Sequence, residues 1–348
     1  MQVQIVKIKT RAMKNTNWSA LLITSLFLIP LFIGCSSKET ITPRPQPVGP
    51  TLSNVSYGSG KDWEGNNVNL TMDIYQPSNM VSGRKYPLVM HLHGGAFSPD
   101  GDKTSAADKC LLLADSGFIA VTINYRVGWN SSNNGDPCAG DTVSFNDALY
   151  RAMQDERAAL RFLVSKADEY SIDTNWIFLS GASAGADVIL NSSYVDDKYA
   201  KARYPKSVAK LGPLDAADNN LKNTYTIKGI CAIAGALPDS NLINSNRAYP
   251  AISFQGEDDE VVPVNFGTYL DCSNYAIQYG SLCQYRQLVA VGVPAVAHVL
   301  PNSGHGNNGD SGYDNPFMMS NAACFFHGLI GKEKPGSGIY IGIVNSCQ

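Results

Sequence analysis

Basic charge is scarce in this sequence. Lysine and arginine number 27 against 30 aspartates and glutamates. Four of the bases, Lys7, Lys9, Arg11 and Lys14, fall in the first 34 residues, which hold no acid. Past that point 23 basic residues face 30 acidic ones, a net charge of −7. A mildly acidic surface argues against nucleic acid as a partner. Metal-ligand spacing is missing too: none of the eight cysteines lies in a zinc-like pattern, so no metal is expected. Internal repeats are absent. With 44% hydrophobic and only 16% charged residues, the 348-residue chain is no disordered polymer. It can build one large α/β domain or two small ones. The apolar run 20–34, "ALLITSLFLIPLFIG", is too short for a comfortable membrane span.

That run follows basic residues and has the length of a signal-peptide core. It ends in "LFIGCSS", where Gly34-Cys35 resembles a bacterial lipoprotein signal with Cys35 as the lipidated first residue. Ser36 after the cysteine, rather than aspartate, resembles lipoproteins of the outer membrane. The expected organisation is a signal peptide 1–34, a stiff tether 35–50 containing Pro43, Pro45, Pro47 and Pro50, and a domain 51–348. The expected location is the bacterial envelope, with the lipid as the sole membrane contact. The oligomeric state is not set by the sequence. An exported chain can hold disulfides. Cys272 and Cys283 close a short Tyr- and Asn-rich segment and are the favoured pair. Cys324–Cys347 would staple the tail, and Cys231, in an apolar run, reads as a buried free thiol.

From residue 51 short apolar segments alternate with helical ones. "VNLTMDIYQP" alternates like an exposed antiparallel strand. "YPLVMHLHGG", "GFIAVTINYR", "NWIFLSG", "IKGICAIAGA", "PAISFQG" and "VAHVLP" are continuous apolar runs, as parallel strands buried on both faces would be. A helix is expected over 146–170, with Leu149, Met153, Leu160, Leu163, Val164 and Ala167 on one face. A second should start at Ala184 and a third run through "PFMMSNAACFFHGL". This alternation predicts a mostly parallel sheet covered by helices, with its active site at the C-terminal strand ends.

In that frame "FLSGASAG", residues 178–185, puts Ser183 on a strand-to-helix turn, flanked by Gly181 and Gly185. This is the context of a nucleophile elbow. A Cβ at either glycine would collide with the neighbouring strand or helix. The helix start aims free N–H groups at the reaction centre, making the N–H of Ala184 one oxyanion donor. "HLHGGAF" supplies Gly94 and Gly95 as further donors, with His93 bracing the loop. His305, in the Gly-flanked loop "NSGHG", is the expected general base. His298 and His327 read as structural. The turn "GEDDEVVP" offers Glu257, Asp258, Asp259 and Glu260 as the acid that orients the base, and spacing alone does not choose among them.

These stretches, with "GDK", "TINYRVG" and "DERAALRFLVSKADEYSID", occur in one order from about residue 54 to 330. The chain resembles an α/β-hydrolase of the hormone-sensitive-lipase and carboxylesterase kind, and more narrowly the bacterial feruloyl/acetyl-xylan esterase-like branch. The resemblance implies the α/β-hydrolase fold, a mostly parallel eight-stranded sheet with helices on both faces. It places the acid in Gly-x-x-Asp-x-x-Val-Pro, here Gly256 to Pro263, which selects Asp259. The order Ser183, Asp259, His305 then matches that of the fold. Ala96 departs from the usual third glycine of the oxyanion loop, and residues 196–226 look like a lid insertion. The implied activity is serine carboxylic-ester hydrolysis through an acyl-enzyme, which needs no cofactor, on acylated polysaccharide fragments or other small esters. Trp129, the loop 127–141 and the 196–226 segment are guesses for specificity contacts. Two rivals are a serine peptidase of the prolyl-oligopeptidase type and a catalytically inactive glycan-binding surface lipoprotein. The first is weakened by the lack of a preceding propeller domain, the second by the presence of all three triad residues.

Overall fold

The computed structural model describes residues 49–347 apart from 133–135, 217–218, 307–310 and 332–334. The expected signal peptide, Cys35 and the tether as far as residue 48 lie outside the described residues. The chain runs β1 Leu52–Lys61, β2 Asn67–Tyr75, β3 Tyr86–Leu92, α1 Ala107–Asp115, β4 Ile119–Ile123, α2 Thr142–Ser165, β5 Ile172–Ala182 and α3 Ala184–Tyr194. There follow α4 Asp197–Arg203, α5 Pro205–Leu211, β6 Ile227–Ile233, β7 Ala251–Gly256 and a small ribbon of β8 Phe266–Gly267 and β9 Gln278–Tyr279. The last elements are α6 Ser281–Ala290, β10 Ala295–Leu300, α7 Asn315–Ile330 and β11 Gly338–Ile341.

The main sheet has the order β1-β2-β4-β3-β5-β6-β7-β10-β11. β1, β2 and β4 pair antiparallel, and every pair from β4 to β11 is parallel. The continuous apolar runs are the parallel strands, as helices on both faces require. Side chains alternate between two cores. Leu88, Met90 and Leu92 of β3 join the layer under α2 and α3, while Val89 joins the layer under α1 and α7.

The sheet has nine strands, not the expected eight. The ninth, β11, comes from the tail and pairs with β10 along Val296–Val299. Its Ile339 and Ile341 are exposed, so it carries no buried apolar run that would announce it. Cys324 of α7 bonds Cys347, as expected, and pins that tail. The long helix begins and ends earlier than expected, at 142 and 165 rather than 146 and 170. Asp141 caps it by accepting the Val143 N–H. Its polar face is covered as well: Arg151, Gln154, Asp155, Glu156 and Arg161 are buried. Arg126 pairs with Asp155 there.

A candidate active site at the strand ends

The loops that follow β3, β5, β7 and β10 carry Gly94–Gly95, Ser183, Asp259 and His305 respectively. β5 ends at Ala182 and α3 starts at Ala184, which leaves Ser183 alone on the turn with φ 50° and ψ −122°. A non-glycine residue with positive φ is strained, and the surroundings must hold it. The Ser183 N–H donates to the Ile233 carbonyl at 2.8 Å. A Cβ on Gly181 would run into the Gly185 carbonyl, and one on Gly185 into the carbonyls of Leu92 and His93. The two glycines therefore let α3 drop directly onto β5 and β3.

His305 Nε2 lies 2.8 Å from Ser183 Oγ. Its Nδ1 lies 2.9 and 3.0 Å from the two carboxylate oxygens of Asp259. A carboxylate only accepts, so Nδ1–H donates and Nε2 is the acceptor facing the serine hydroxyl. Asp259 also accepts N–H bonds from Val261 and Val262 and one from the Gln255 amide. Its side chain is fully buried. Glu257, Asp258 and Glu260 are exposed. Of these Glu260 reaches the site, accepting the His305 backbone N–H at 3.3 Å. The arrangement can take a proton from Ser183 through an imidazole whose tautomer and orientation are fixed.

Gly94 and Gly95 lie beside this serine. A Cβ on Gly94 would sit 3.0 Å from the Ala182 carbonyl and 3.2 Å from Ser183 Cβ, and Gly95 adopts φ 108°. Among the described residues no backbone acceptor takes the N–H of Gly94, Gly95 or Ala184, so all three remain available. His93 is buried, stacks on Tyr125 at 4.3 Å, and bonds the Gly94 carbonyl through Nδ1. Burial pushes its pKa below the ordinary histidine value. That is a brace for the loop, as expected. Burial likewise lowers His298, to about 4.

Three supports give no motif signal. Asp187, one turn after Ser183 on α3, is buried and accepts from the Ala236 N–H at 2.8 Å and the Tyr269 hydroxyl at 3.0 Å. Burial drives its carboxyl up to about 7, partly offset by those two donors. Trp129 donates its indole N–H to the Ala96 carbonyl at 2.9 Å, next to Gly95. Phe145 meets Trp129, Tyr269 and Tyr275 in one aromatic cluster. Cys272 beside it is bonded to Cys138, which corrects the expected Cys272–Cys283 pair. The intervening chain does not close on itself. It forms β9 and leads into α6, where Cys283 is a free thiol. Cys231 is buried and free, as expected.

The 196–226 segment forms α4 and α5. Its side chains bond to α2 and α3, Ser207 and Lys210 to Asp147 and Tyr204 to Asn191, and also to the Tyr57 carbonyl of β1 through Asn219 and to Arg247 through Asp196. Among its described residues none bonds to Ser183, Asp259 or His305. Among the described residues no group of three or more His, Cys, Asp or Glu is placed to hold a metal, and no helix is long and apolar enough to cross a membrane.

Residues 72–248 match the model of the BD-FAE family. That stretch includes the elbow and the oxyanion loop. Carboxylesterase 3B of Mus musculus is 30% identical over 121 residues, 34% of this chain and 19% of that protein. The chain spans less than half the length of the curated relatives it matches. A truncated carbohydrate esterase from gut microbiota superposes with TM-score 0.56 at 16% identity, over 81% of this chain and 99% of its own. A thermophilic esterase of Thermogutta terrifontis with propionate bound gives TM-score 0.54 at 17% identity, over 85% and 99%. The fold is thus that of the α/β-hydrolase esterases.

Proposed function

The chain belongs to the BD-FAE family, and from that premise we propose that it is a serine ester hydrolase working through an acyl-enzyme. The single observation that carries the reading is the unbroken Ser183–His305–Asp259 relay on a strained strand-to-helix turn. His305 Nε2 takes the Ser183 proton as Oγ attacks the ester carbonyl. The N–H groups of Gly94, Gly95 and Ala184 receive the charge that develops on the carbonyl oxygen. One such donor is worth about 3 kcal/mol in the transition state. Asp259 holds the imidazole and stabilises its protonated form. The imidazolium then gives its proton to the departing alcohol, and the acyl group stays on Ser183. A water molecule deprotonated by His305 releases it by the same route. The chemistry draws on these side chains and amides alone.

The substrate class we assign is a small ester or an acylated polysaccharide fragment. The esterase names among relatives and neighbours support the ester, and the gut-microbiota carbohydrate esterase supports the saccharide. We place the protein in the bacterial envelope, at the outer membrane, anchored through a lipid on Cys35. Palmitate labelling that survives Cys35→Ala would remove that part. Hydrolysis of p-nitrophenyl acetate tests the chemistry. Ser183→Ala should lose roughly 10⁴-fold or more in kcat/KM while still folding. Full activity in that variant overturns the mechanism.

A further inference from the structure

A cleft of about 610 Å³ opens at the N-terminal end of the central strands, the end of the sheet away from the triad. It is bounded by the C-terminal end of α3, the lead into β6 and the return leg of the 196–226 segment. Ser183 stands at the start of α3 and Ser192 and Ser193 near its end, about 14 Å apart at 1.5 Å per residue. The cleft is therefore separate from the reaction centre.

Its wall contains polar groups that the protein leaves unpaired. Glu156 is fully buried; one carboxyl oxygen accepts from the Ser192 hydroxyl, and the other, Oε1, has no partner. Arg157 Nε and Ser193 Oγ, which also line the cleft, are buried without partners. Unpaired buried groups of this kind are rare in folded proteins and call for a partner, either water or a bound ligand. Charge does not select an ion. Four acidic and four basic side chains line the space. The guanidiniums are already engaged: Arg157 and Arg161 with Asp215, and Arg247 with Asp196 and the Tyr194 carbonyl. Lys222 sits on the exposed rim. Unpaired donors and acceptors side by side suit hydroxyls, which do both. Tyr225 and Tyr249 add partly buried rings on which the C–H face of a sugar can rest.

We propose that this cleft binds an uncharged, hydroxyl-rich ligand of the oligosaccharide class, with Arg157 and Tyr225 as its contacts and the buried Glu156 directly behind them. It would hold a carbohydrate away from the nucleophile, and the 196–226 insertion would serve as its wall. Burial lifts the Glu156 carboxyl to about 7, so near neutrality it can donate as well as accept. The inference does not rest on the ester-hydrolase reading, because unacylated sugar binds without reacting.

The test is calorimetric titration of the full chain with unacylated xylotetraose and cellotetraose, with inorganic phosphate as the ionic control. A tetraose should bind with millimolar affinity or better. Tyr225→Ala should weaken it roughly tenfold, and the shape-preserving Glu156→Gln several-fold. A third arm needs no substitution: wild type phosphonylated at Ser183, with the label confirmed by mass, should bind the tetraose unchanged. Failure to label speaks against Ser183 as nucleophile and leaves the binding result to be read on unlabelled protein. Absence of tetraose binding at roughly 10 mM overturns the inference. So does abolition by the label, which would move the sugar to the catalytic site, or tighter binding of phosphate, which would make the cleft an anion site.

Discussion

Two buried carboxyls flank the same serine, on the turn after β7 and in the first turn of α3, and they are built differently. Asp259 accepts two backbone N–H bonds, the Gln255 amide and the His305 ring. Asp187 accepts one backbone N–H and one tyrosine hydroxyl, and burial pushes its carboxyl up to about 7. Burial is shared; the difference is in the donors. A carboxyl wrapped in N–H groups can orient a histidine. One bridging α3 to Ala236 and Tyr269 fastens the elbow helix to its surroundings. Proximity to the nucleophile does not by itself make a carboxyl the catalytic acid.

The largest expected effect separates Asp259 from its neighbours. Asp259→Asn keeps the shape but places an amide against Nδ1 and disturbs the imidazole tautomer. Its kcat/KM on p-nitrophenyl acetate should fall on the order of 10⁴-fold. Asp258→Asn, on an exposed residue of the same turn, should stay near wild type. If Asp258→Asn is the crippled variant, the assignment on this turn is wrong and the contrast with Asp187 loses its basis.

The next effect is on stability. Asp187 holds its proton in the folded state up to about pH 7, whereas the ordinary value of 3.8 governs the unfolded chain. Between pH 4 and 7 the folded state thus binds the extra proton, so stability is greatest below that window and falls as pH rises through it, by about 1.4 kcal/mol per unit. Urea unfolding should show wild type weaker at pH 8 than at pH 5. Asp187→Asn should lower that slope by one proton. The slope should not vanish, because Glu156 on the far side of the molecule is also raised, to about 7. An unchanged slope in Asp187→Asn would mean that this carboxyl is not the buried acid described.

These two acids also mark how much could be read in advance. Ser183, Gly94, Gly95 and His305 sit in short local patterns whose backbone demands are visible residue by residue, and the structure brings them together. Asp259 needed the resemblance, since four acids crowd one turn. Asp187 was hidden because its partners, Ala236 and Tyr269, are 49 and 82 residues away. Cys138 likewise finds Cys272 across 134 residues, where sequence proximity pointed to Cys283. The polar face of α2 is buried under α5 and its flanking turns, and nothing in the local sequence reveals that cover. Periodicity reports that a face is polar, and only tertiary structure reports what covers it.

The smallest effect concerns Trp129, which does for the oxyanion loop what Tyr269 does for α3. Both rings belong to the cluster around Phe145. Trp129→Phe keeps a ring against Phe145 and the Gly140 backbone, where a Cβ would already crowd the indole at 2.6 Å. It deletes only the bond to the Ala96 carbonyl. A net hydrogen bond is worth about 1 kcal/mol, so kcat should fall roughly three- to tenfold. KM should hardly move, because the donors at Gly94 and Gly95 matter most when charge develops on the substrate oxygen. A rise in KM at constant kcat would instead make Trp129 a substrate contact. No change in either would mean that Gly95 and Ala96, with φ of 108° and 51°, hold the loop through backbone geometry alone.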